Sequence, residues 1–301
     1  MRQIYYYITF ACNLRCRHCY VGDNLAPHSH APFHQVTDTL YECYRQGARK
    51  VTFLGGEPTL HPRYDDILTV ASEIGYRQLI VDTNGILQYP LPDNLCLPER
   101  LIVRFSIEGA TAKTHERVRG KGTFVKTLRT LQRVVADGIR TEITFTINGL
   151  NINEIESMVK RFRDEGISEI NFHFLSLMGN GRDNQQLGLS PEAILYAQEQ
   201  LDRLKEMCGI SLRYPRLLVR EEDLRQEVDQ GCGCRIFKTD TLLIFPGGET
   251  HACPLEITPS LQQQIKVEGR QPFSGCPLSW RLLPAGVPKG YVMTCISWKY
   301  K

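Results

Sequence analysis

Two patterns of apolar residues alternate along the first two thirds of the chain. Short stretches rich in β-branched and aromatic residues, typical of buried strands, occur at positions 4–10, 50–54, 78–82, 101–107, 141–147 and 169–175. Longer stretches with helical spacing occur at positions 33–46, 64–74, 123–137, 153–165 and 191–207. The pattern therefore predicts about six strand–helix units across residues 4–207.

A regular alternation of strands and helices indicates a parallel sheet with right-handed crossovers. Six units are fewer than the eight of a closed TIM barrel. We therefore expect an α/β fold, a partial (β/α)6 TIM-type barrel, in residues 1–210. Functional groups should gather where the strands of such a sheet end.

The pattern changes after about residue 210, where Gly, Pro and Cys become more frequent. An apolar stretch at 241–245 followed by Pro246-Gly247-Gly248 predicts a hairpin. We expect residues 211–301 to form a small, loop-rich, cysteine-rich C-terminal region.

Composition narrows the possible environments and partners. Of the 301 residues, 42% are hydrophobic and 23% are charged, and the net charge is +3. This is ordinary globular composition, and no Lys/Arg run is dense enough to indicate dedicated nucleic-acid binding. No stretch approaches the roughly 18 apolar residues of a membrane span, and the start does not resemble a signal peptide. We expect a cytoplasmic protein without membrane partners.

Eleven cysteines need an explanation in such a protein, because disulfides are rare in the cytosol. Cys12, Cys16 and Cys19 follow directly on the first predicted strand. Three thiolates on one loop can ligate three irons of a [4Fe–4S] cluster, whose usual complement is four cysteines, and the fourth iron then stays open to a substrate. The alternative is a zinc site with His18 as a fourth ligand.

The Cys-x3-Cys-x2-Cys loop resembles the hallmark of the radical S-adenosylmethionine (SAM) superfamily. That resemblance implies a radical SAM [4Fe–4S] cluster on Cys12, Cys16 and Cys19, which would be the catalytic cysteines, and S-adenosyl-L-methionine as the second cofactor. It also places His18 beside the adenine, although a solvated loop residue is an equal alternative.

Further stretches resemble SAM-binding segments of the same family. Leu54-Gly55-Gly56-Glu57-Pro58 resembles the GGE motif, which implies that Gly55, Gly56 and Glu57 bind the amino group of SAM. Val81-Asp82-Thr83-Asn84-Gly85 resembles the family's TNG turn, or is only a turn that ends a strand.

Four more residues are assigned to SAM by resemblance. Ser106 stands where the family's serine often contacts the ribose, in a stretch that has Glu108 where Asp is usual. Arg119, preferred to Arg117, would pair with the SAM carboxylate, since a guanidinium meets a carboxylate in a bidentate way. Asn148 is a candidate ligand of the SAM ribose. Leu177 either lines the adenine pocket or belongs to the hydrophobic core.

The C-terminal cysteines resemble those of the SPASM and twitch extensions, which carry auxiliary clusters. We expect an auxiliary [4Fe–4S] cluster with ligands from Cys234, Cys253, Cys276 and Cys295, with Cys232 as a substitute for any of them. Buried or incidental thiols are the alternative. The isolated Cys43, Cys96 and Cys208 are expected to be core residues.

The resemblance implies reductive cleavage of SAM to a 5′-deoxyadenosyl radical that abstracts hydrogen from a substrate. The resemblance to enzymes with SPASM and twitch extensions favours a ribosomally made precursor peptide as the substrate. Splicing of the peptide backbone is one possible form of the modification. A small molecule such as a sugar, nucleoside or amino acid is the alternative, and a non-enzymatic iron–sulfur sensor is a third hypothesis.

The same resemblance implies further partners. An electron donor such as flavodoxin or ferredoxin would be needed. Because the first predicted strand begins at about residue 3, we expect no N-terminal leader-recognition domain. We therefore expect either a separate leader-peptide recognition protein or direct docking of the peptide on the barrel.

Overall fold

The computed structural model describes residues 2–87, 99–223, 241–251 and 288–293. Strands and helices alternate through most of this chain. The strands are β1 (Arg2–Thr9), β2 (Ala48–Gly55), β3 (Gln78–Thr83), β4 (Leu101–Ser106), β5 (Arg140–Ile147), β6 (Glu169–Phe174), β7 (Ser211–Arg213), β8 (Leu218–Arg220), β9 (Thr241–Ile244), β10 (Thr250–His251) and β11 (Tyr291–Met293). The helices are α1 (Phe33–Arg45), α2 (Tyr64–Ile74), α3 (Ala112–Arg119), α4 (Thr123–Ala136), α5 (Ile155–Asp164) and α6 (Pro191–Met207).

The main sheet has nine strands in the order β10-β9-β1-β2-β3-β4-β5-β6-β7. Strands β1 to β7 pair in parallel with their sequence neighbours, and β9 adds in parallel to the other side of β1. Across the described residues the sheet runs from β10 to β7 without joining its ends. The α/β fold with a parallel sheet expected from the sequence is thus confirmed.

The sheet separates a helix-covered face from an inner face. On β1, Ile4, Tyr6 and Ile8 are fully buried in a cluster with side chains of α1 and α2. The alternate residues Tyr5 and Tyr7 line a cavity on the other side. Side chains of β3, β4, β6, β7 and β9 line the same cavity, so the sheet curves around it as an open barrel does.

Local sequence signals fix the ends of several helices. Ser190 caps α6 by accepting a hydrogen bond from the Ala193 backbone, and Pro191 occupies the first turn. Helix α2 ends at Gly75, whose φ of 97° is left-handed.

Among the helices that the structure describes, none combines the length and apolar run that a bilayer-spanning segment needs.

Two elements differ from those that the apolar pattern predicts. The pattern does not predict helix α3, because only Thr114, His115 and Val118 of this helix are buried and its apolar stripe is weak. The predicted hairpin is present as β9 and β10, which pair antiparallel. The first strand of this hairpin, β9, belongs to the main sheet. The division of the chain into two regions at residue 210 stays a prediction.

Candidate active site

The curved sheet encloses a cavity of about 380 Å³ that reaches the carboxyl ends of its strands. Cys12, Cys16 and Cys19 all lie on its wall. All three are free thiols, with Cys16 buried and the other two half-buried. The structure therefore brings the three sequence-predicted cysteines together at one site.

The cysteine loop is held by backbone contacts from two later segments. Arg17 N donates to Val118 O over 2.9 Å, which ties the loop to α3. Asn180 donates from its backbone N to Cys19 O and from its side-chain Nδ2 to Cys16 O, both at 2.9 Å. Sequence reasoning gave Asn180 no role, since nothing near position 180 signals a partner more than 160 residues away.

The Gly55-Gly56 turn packs its backbone against the strand end that leads into this loop. Gly56 N donates to Thr9 O over 2.9 Å, and Glu57 N donates to Ala11 O over 2.8 Å. A Cβ on Gly55 would lie 1.9 Å from Thr9 O, and one on Gly56 would lie 2.2 Å from Ala11 O. Both glycines are required for this approach, and both also line the cavity.

Glu57 directly follows the glycine turn. Its side chain is buried and is absent from the cavity wall. Oε1 accepts hydrogen bonds from the hydroxyls of Thr59 and Thr83, both at 2.7 Å, and Oε2 accepts one from Asn84 N at 2.7 Å. Burial raises the pKa of this carboxyl, although these hydrogen bonds lower it. These contacts fix the glycine turn to the end of β3, and the role of Glu57 towards the amino group of SAM stays a prediction.

Glu108 is the centre of a buried polar network beside the cysteines. Its Oε1 accepts from Arg119 Nη2 at 2.8 Å and is 3.1 Å from His18 Nε2. Its Oε2 accepts from Thr146 N at 2.9 Å. Arg119 Nη1 in turn donates to Cys16 Sγ over 3.8 Å. The glutamate that departs from the family's usual Asp therefore joins the cysteine loop, α3 and the end of β5.

The charge pair of Glu108 and Arg119 lies next to the Cys16 thiol. Burial alone would raise the pKa of Glu108, but the charges of His18 and Arg119 outweigh it and lower the pKa to about 2. Burial raises the pKa of the Cys16 thiol to about 12, although Arg119 lowers it. A neutral thiol beside a buried cation is a poor arrangement, and it becomes favourable once the thiol is deprotonated by binding a metal.

The donor set fits an iron–sulfur cluster with an additional organic ligand. Three thiols share one wall, and cysteine thiolates are the usual ligands of such clusters. Two buried nitrogens beside them, His18 Nδ1 and Arg119 Nε, find no hydrogen-bond partner within the described residues. Because buried donors are normally satisfied, these atoms are available to a ligand that occupies the cavity.

The zinc alternative gains no support from His18, whose Nε2 faces Glu108 rather than a cysteine. In the described ranges, no three His, Cys, Asp or Glu side chains stand close enough together to hold a single metal ion.

The remaining sequence-predicted residues divide into two groups. Ser106 lines the cavity, as His18 and Arg119 do. Asn148 does not: its side chain is fully buried, donating to Thr146 O and accepting from Leu150 N within its own turn. Leu177 is also absent from the wall, which its neighbours Leu175, Ser176 and Met178 form. The structure does not place Asn148 or Leu177 on the cavity wall, and their roles towards ribose and adenine stay predictions.

Cys43 and Cys208 are buried in the core, as predicted. Cys96 and the predicted auxiliary ligands Cys232, Cys234, Cys253, Cys276 and Cys295 lie outside the described residues. The auxiliary cluster thus stays a prediction.

Sequence reasoning missed several cavity residues that point inward from the strands. They include Tyr7 of β1, whose hydroxyl lies 2.8 Å from that of Tyr20 in the cysteine loop. Arg104 of β4 is another, and it pairs with Asp82 at 3.2 Å and Glu142 at 2.8 Å. The alternation of side chains along each strand was the available signal, because every second residue of an inward strand faces the cavity.

Comparison with known proteins gives a consistent result. The family model described as the radical SAM superfamily matches residues 6–162. The chain is 26% identical over 258 residues to the subtilosin biosynthesis protein AlbA of Bacillus subtilis, covering 82% of this chain and 54% of AlbA. It is 27% identical over 205 residues to Fe-coproporphyrin III synthase of Methanosarcina barkeri, covering 66% of this chain and 51% of that protein.

Among solved structures, SuiB of Streptococcus suis bound to S-adenosylmethionine matches with a TM-score of 0.66 at 16% identity. The match covers 93% of this chain and 65% of SuiB, and it shows a shared fold. A second SuiB structure, with the precursor peptide SuiA, matches with a TM-score of 0.64 at 15% identity, covering 83% of this chain and 59% of that one. The chain spans about half the length of the two curated relatives.

The Glu108 network gives a prediction about stability. Glu108→Gln preserves the side-chain length but leaves the buried Arg119 guanidinium without its counter-ion, which costs about 3–5 kcal/mol for a broken buried pair. Because the pKa of Glu108 is lowered in the fold, the wild-type advantage is complete above pH 4.5 and is lost as pH falls towards 2.

Anaerobic urea denaturation of the metal-free protein, followed by circular dichroism, measures this cost. Glu156→Gln is the matched control, since Glu156 pairs with Lys160 on the exposed side of α5 and should cost less than about 0.5 kcal/mol. Equal free energies of unfolding for the two variants at pH 7 would contradict the assigned network.

Proposed function

Because the chain belongs to the radical SAM superfamily, we propose that it is an enzyme that holds a [4Fe–4S] cluster on Cys12, Cys16 and Cys19 and cleaves SAM. The observation that carries the proposal is the position of the three thiols on one cavity wall with Gly55, Gly56 and Arg119. A purely structural cluster has no need of an adjoining cavity with unsatisfied donors.

When bound, the cluster and SAM supply a one-electron cleavage that yields a carbon radical able to abstract hydrogen from an unreactive carbon. The chain's own residues would bind and orient the reactants. Gly55 and Gly56 leave the wall without side chains, so a ligand can approach the backbone. Arg119, held by Glu108, offers a guanidinium to a carboxylate, and Ser106 offers a hydroxyl.

The walls of the cavity would also exclude water from the reaction. Tyr7, Val21, Leu175 and Met178 are nearly inaccessible to solvent and line it together with the cysteines. A reactive radical survives only where competing donors are kept away, so such walls suit this chemistry.

We propose a ribosomally made precursor peptide as the substrate. AlbA acts in the biosynthesis of a bacteriocin, and SuiB has been solved with its precursor peptide SuiA. The reaction would be a post-translational modification of the peptide, with splicing of its backbone as one form. A reductant such as flavodoxin or ferredoxin and a separate leader-peptide recognition protein are the partners that this function calls for.

A small-molecule substrate is the second candidate, favoured by one comparison. Fe-coproporphyrin III synthase, whose name indicates a porphyrin, matches this chain at 27% identity over 205 residues. The same site would serve either substrate, because the cluster and SAM perform the initial chemistry in both cases.

Cleavage of SAM is the first test. After anaerobic reconstitution with iron and sulfide, we expect dithionite and SAM to yield 5′-deoxyadenosine, measured by chromatography. Cys16→Ala should abolish this product, because it removes one of the three proposed cluster ligands.

Cys43→Ala is the matched control, since Cys43 is equally buried but packs in the core beside α1 and α2. It should retain the product. Release of 5′-deoxyadenosine by Cys16→Ala at the wild-type rate would refute the assignment of the cluster.

The choice between substrates needs a different experiment. Co-expression of the enzyme with the short open reading frames beside its gene should change the mass of one encoded peptide, detected by mass spectrometry. The Cys16→Ala enzyme should leave that peptide unchanged. If no neighbouring peptide changes mass while the enzyme cleaves SAM, the peptide proposal fails and the small-molecule alternative stands.

A further inference from the structure

The cavity extends from the cysteine loop to the amino-terminal ends of the inner strands. Lys50 lies near the start of β2 and lines the cavity, as do Gly55 and Gly56 at the end of the same strand. Gly55 stands five positions after Lys50, which corresponds to about 16 Å of extended strand. The cavity thus has two ends of different chemistry, one carrying thiols and the other carrying a lysine.

Three neighbouring strands place hydrogen-bond donors in one row at the lysine end. Gln3 of β1 is paired in register with Lys50 of β2 on one side and with Thr241 of β9 on the other. All three side chains line the cavity. An ammonium, an amide and a hydroxyl in a row can together satisfy both oxygens of a carboxylate.

The carboxylates around this end already have other partners. Asp82 pairs with Arg104 at 3.2 Å, and Glu142 pairs with Arg104 at 2.8 Å. On the next strands Glu169 accepts from Arg213 over 2.8 Å.

Lys50 is left without such a partner. Within the described ranges it forms neither a hydrogen bond nor an ion pair. Burial is the main cause that lowers its pKa; the nearby Tyr5 and Glu142 raise it, and the charges of Arg104 and Arg213 lower it. A partly desolvated ammonium group without a direct hydrogen bond or ion pair is costly, and binding an anion would reduce that cost.

We propose that Lys50, with Gln3 and Thr241, binds a carboxylate of the substrate at the end of the cavity opposite the cysteine loop. This inference rests on the proposed function, because it takes the substrate to occupy the same cavity as SAM. It defines the substrate class as a molecule with a carboxylate, supplied by an acidic residue of a peptide or by a small free acid. The carboxylate would orient the substrate so that a more distant carbon faces the thiol end.

Binding is measured on the cluster-loaded protein without reductant or SAM, so the result does not depend on SAM cleavage. The lysines are reductively methylated with ¹³C-formaldehyde, which retains their charge, and the Lys50 signal is assigned by its absence from Lys50→Arg. Four probes are titrated. Glutarate is compared with its neutral diamide, and a capped Gly-Gly-Glu-Gly-Gly peptide is compared with its Gln analogue.

A saturable shift of the Lys50 signal with a carboxylate probe, and none with its amide, is expected. A response to glutarate alone identifies a small acid, and a response to the Glu peptide identifies a peptide substrate. Calorimetry should show binding retained in Lys50→Arg, at least tenfold weaker in Lys50→Met, and unchanged in Lys126→Met, which alters an exposed lysine of α4.

An unresponsive Lys50 signal, or equal responses to acids and amides, would overturn the inference. Equal binding by Lys50→Met and the wild type would do the same. Failure of the wild-type protein to release 5′-deoxyadenosine would instead overturn the proposed function, so the two failures are separable.

Discussion

The close contact between two backbones is the constraint on which the site depends. Gly55 and Gly56 lie so near the end of β1 that neither can carry a Cβ without meeting a carbonyl oxygen of Thr9 or Ala11. This contact positions the residues immediately before Cys12, and hence the start of the loop that carries all three thiols. Glu57 holds the glycine turn to the end of β3 by accepting hydrogen bonds from Thr83 and Asn84. Three adjacent strands therefore determine the geometry of one loop.

A second set of contacts holds the other half of the loop. Glu108 connects His18 and Arg119, and Asn180 binds the carbonyls of Cys16 and Cys19. Glu108 reaches both His18 and Arg119. The aspartate that is usual at this position in the family pattern has a side chain one methylene shorter. Rigid support of this kind is what a site needs when it must hold a cluster and a second ligand in a fixed relation.

The sequence was sufficient for the parallel sheet because periodicity reports which residues are buried. It was also sufficient to group the cysteines and glycines, since those motifs follow directly on strands whose ends meet. It did not reveal the contacts of two side chains that turn into the protein: Glu57 accepts hydrogen bonds from Thr83 and Asn84, and Asn148 donates one to Thr146 O. The direction of a side chain at a strand end depends on partners distant in sequence, such as Thr83 for Glu57. The same limit explains why Asn180 and Lys50 were missed.

The central claim is that the glycine turn, by its contact with β1, shapes a three-thiol site where a cluster meets SAM. Electron paramagnetic resonance of the reduced, reconstituted protein with and without SAM tests it most directly. The control is Gly138→Ala, where the added Cβ meets no atom although the φ of 73° strains the alanine as a change in any left-handed turn would. The wild type and this control should both show a cluster signal that changes when SAM is added. Gly56→Ala should lose that SAM-responsive signal while its circular dichroism spectrum remains that of a folded protein. A full-intensity, SAM-responsive signal in Gly56→Ala would contradict the account.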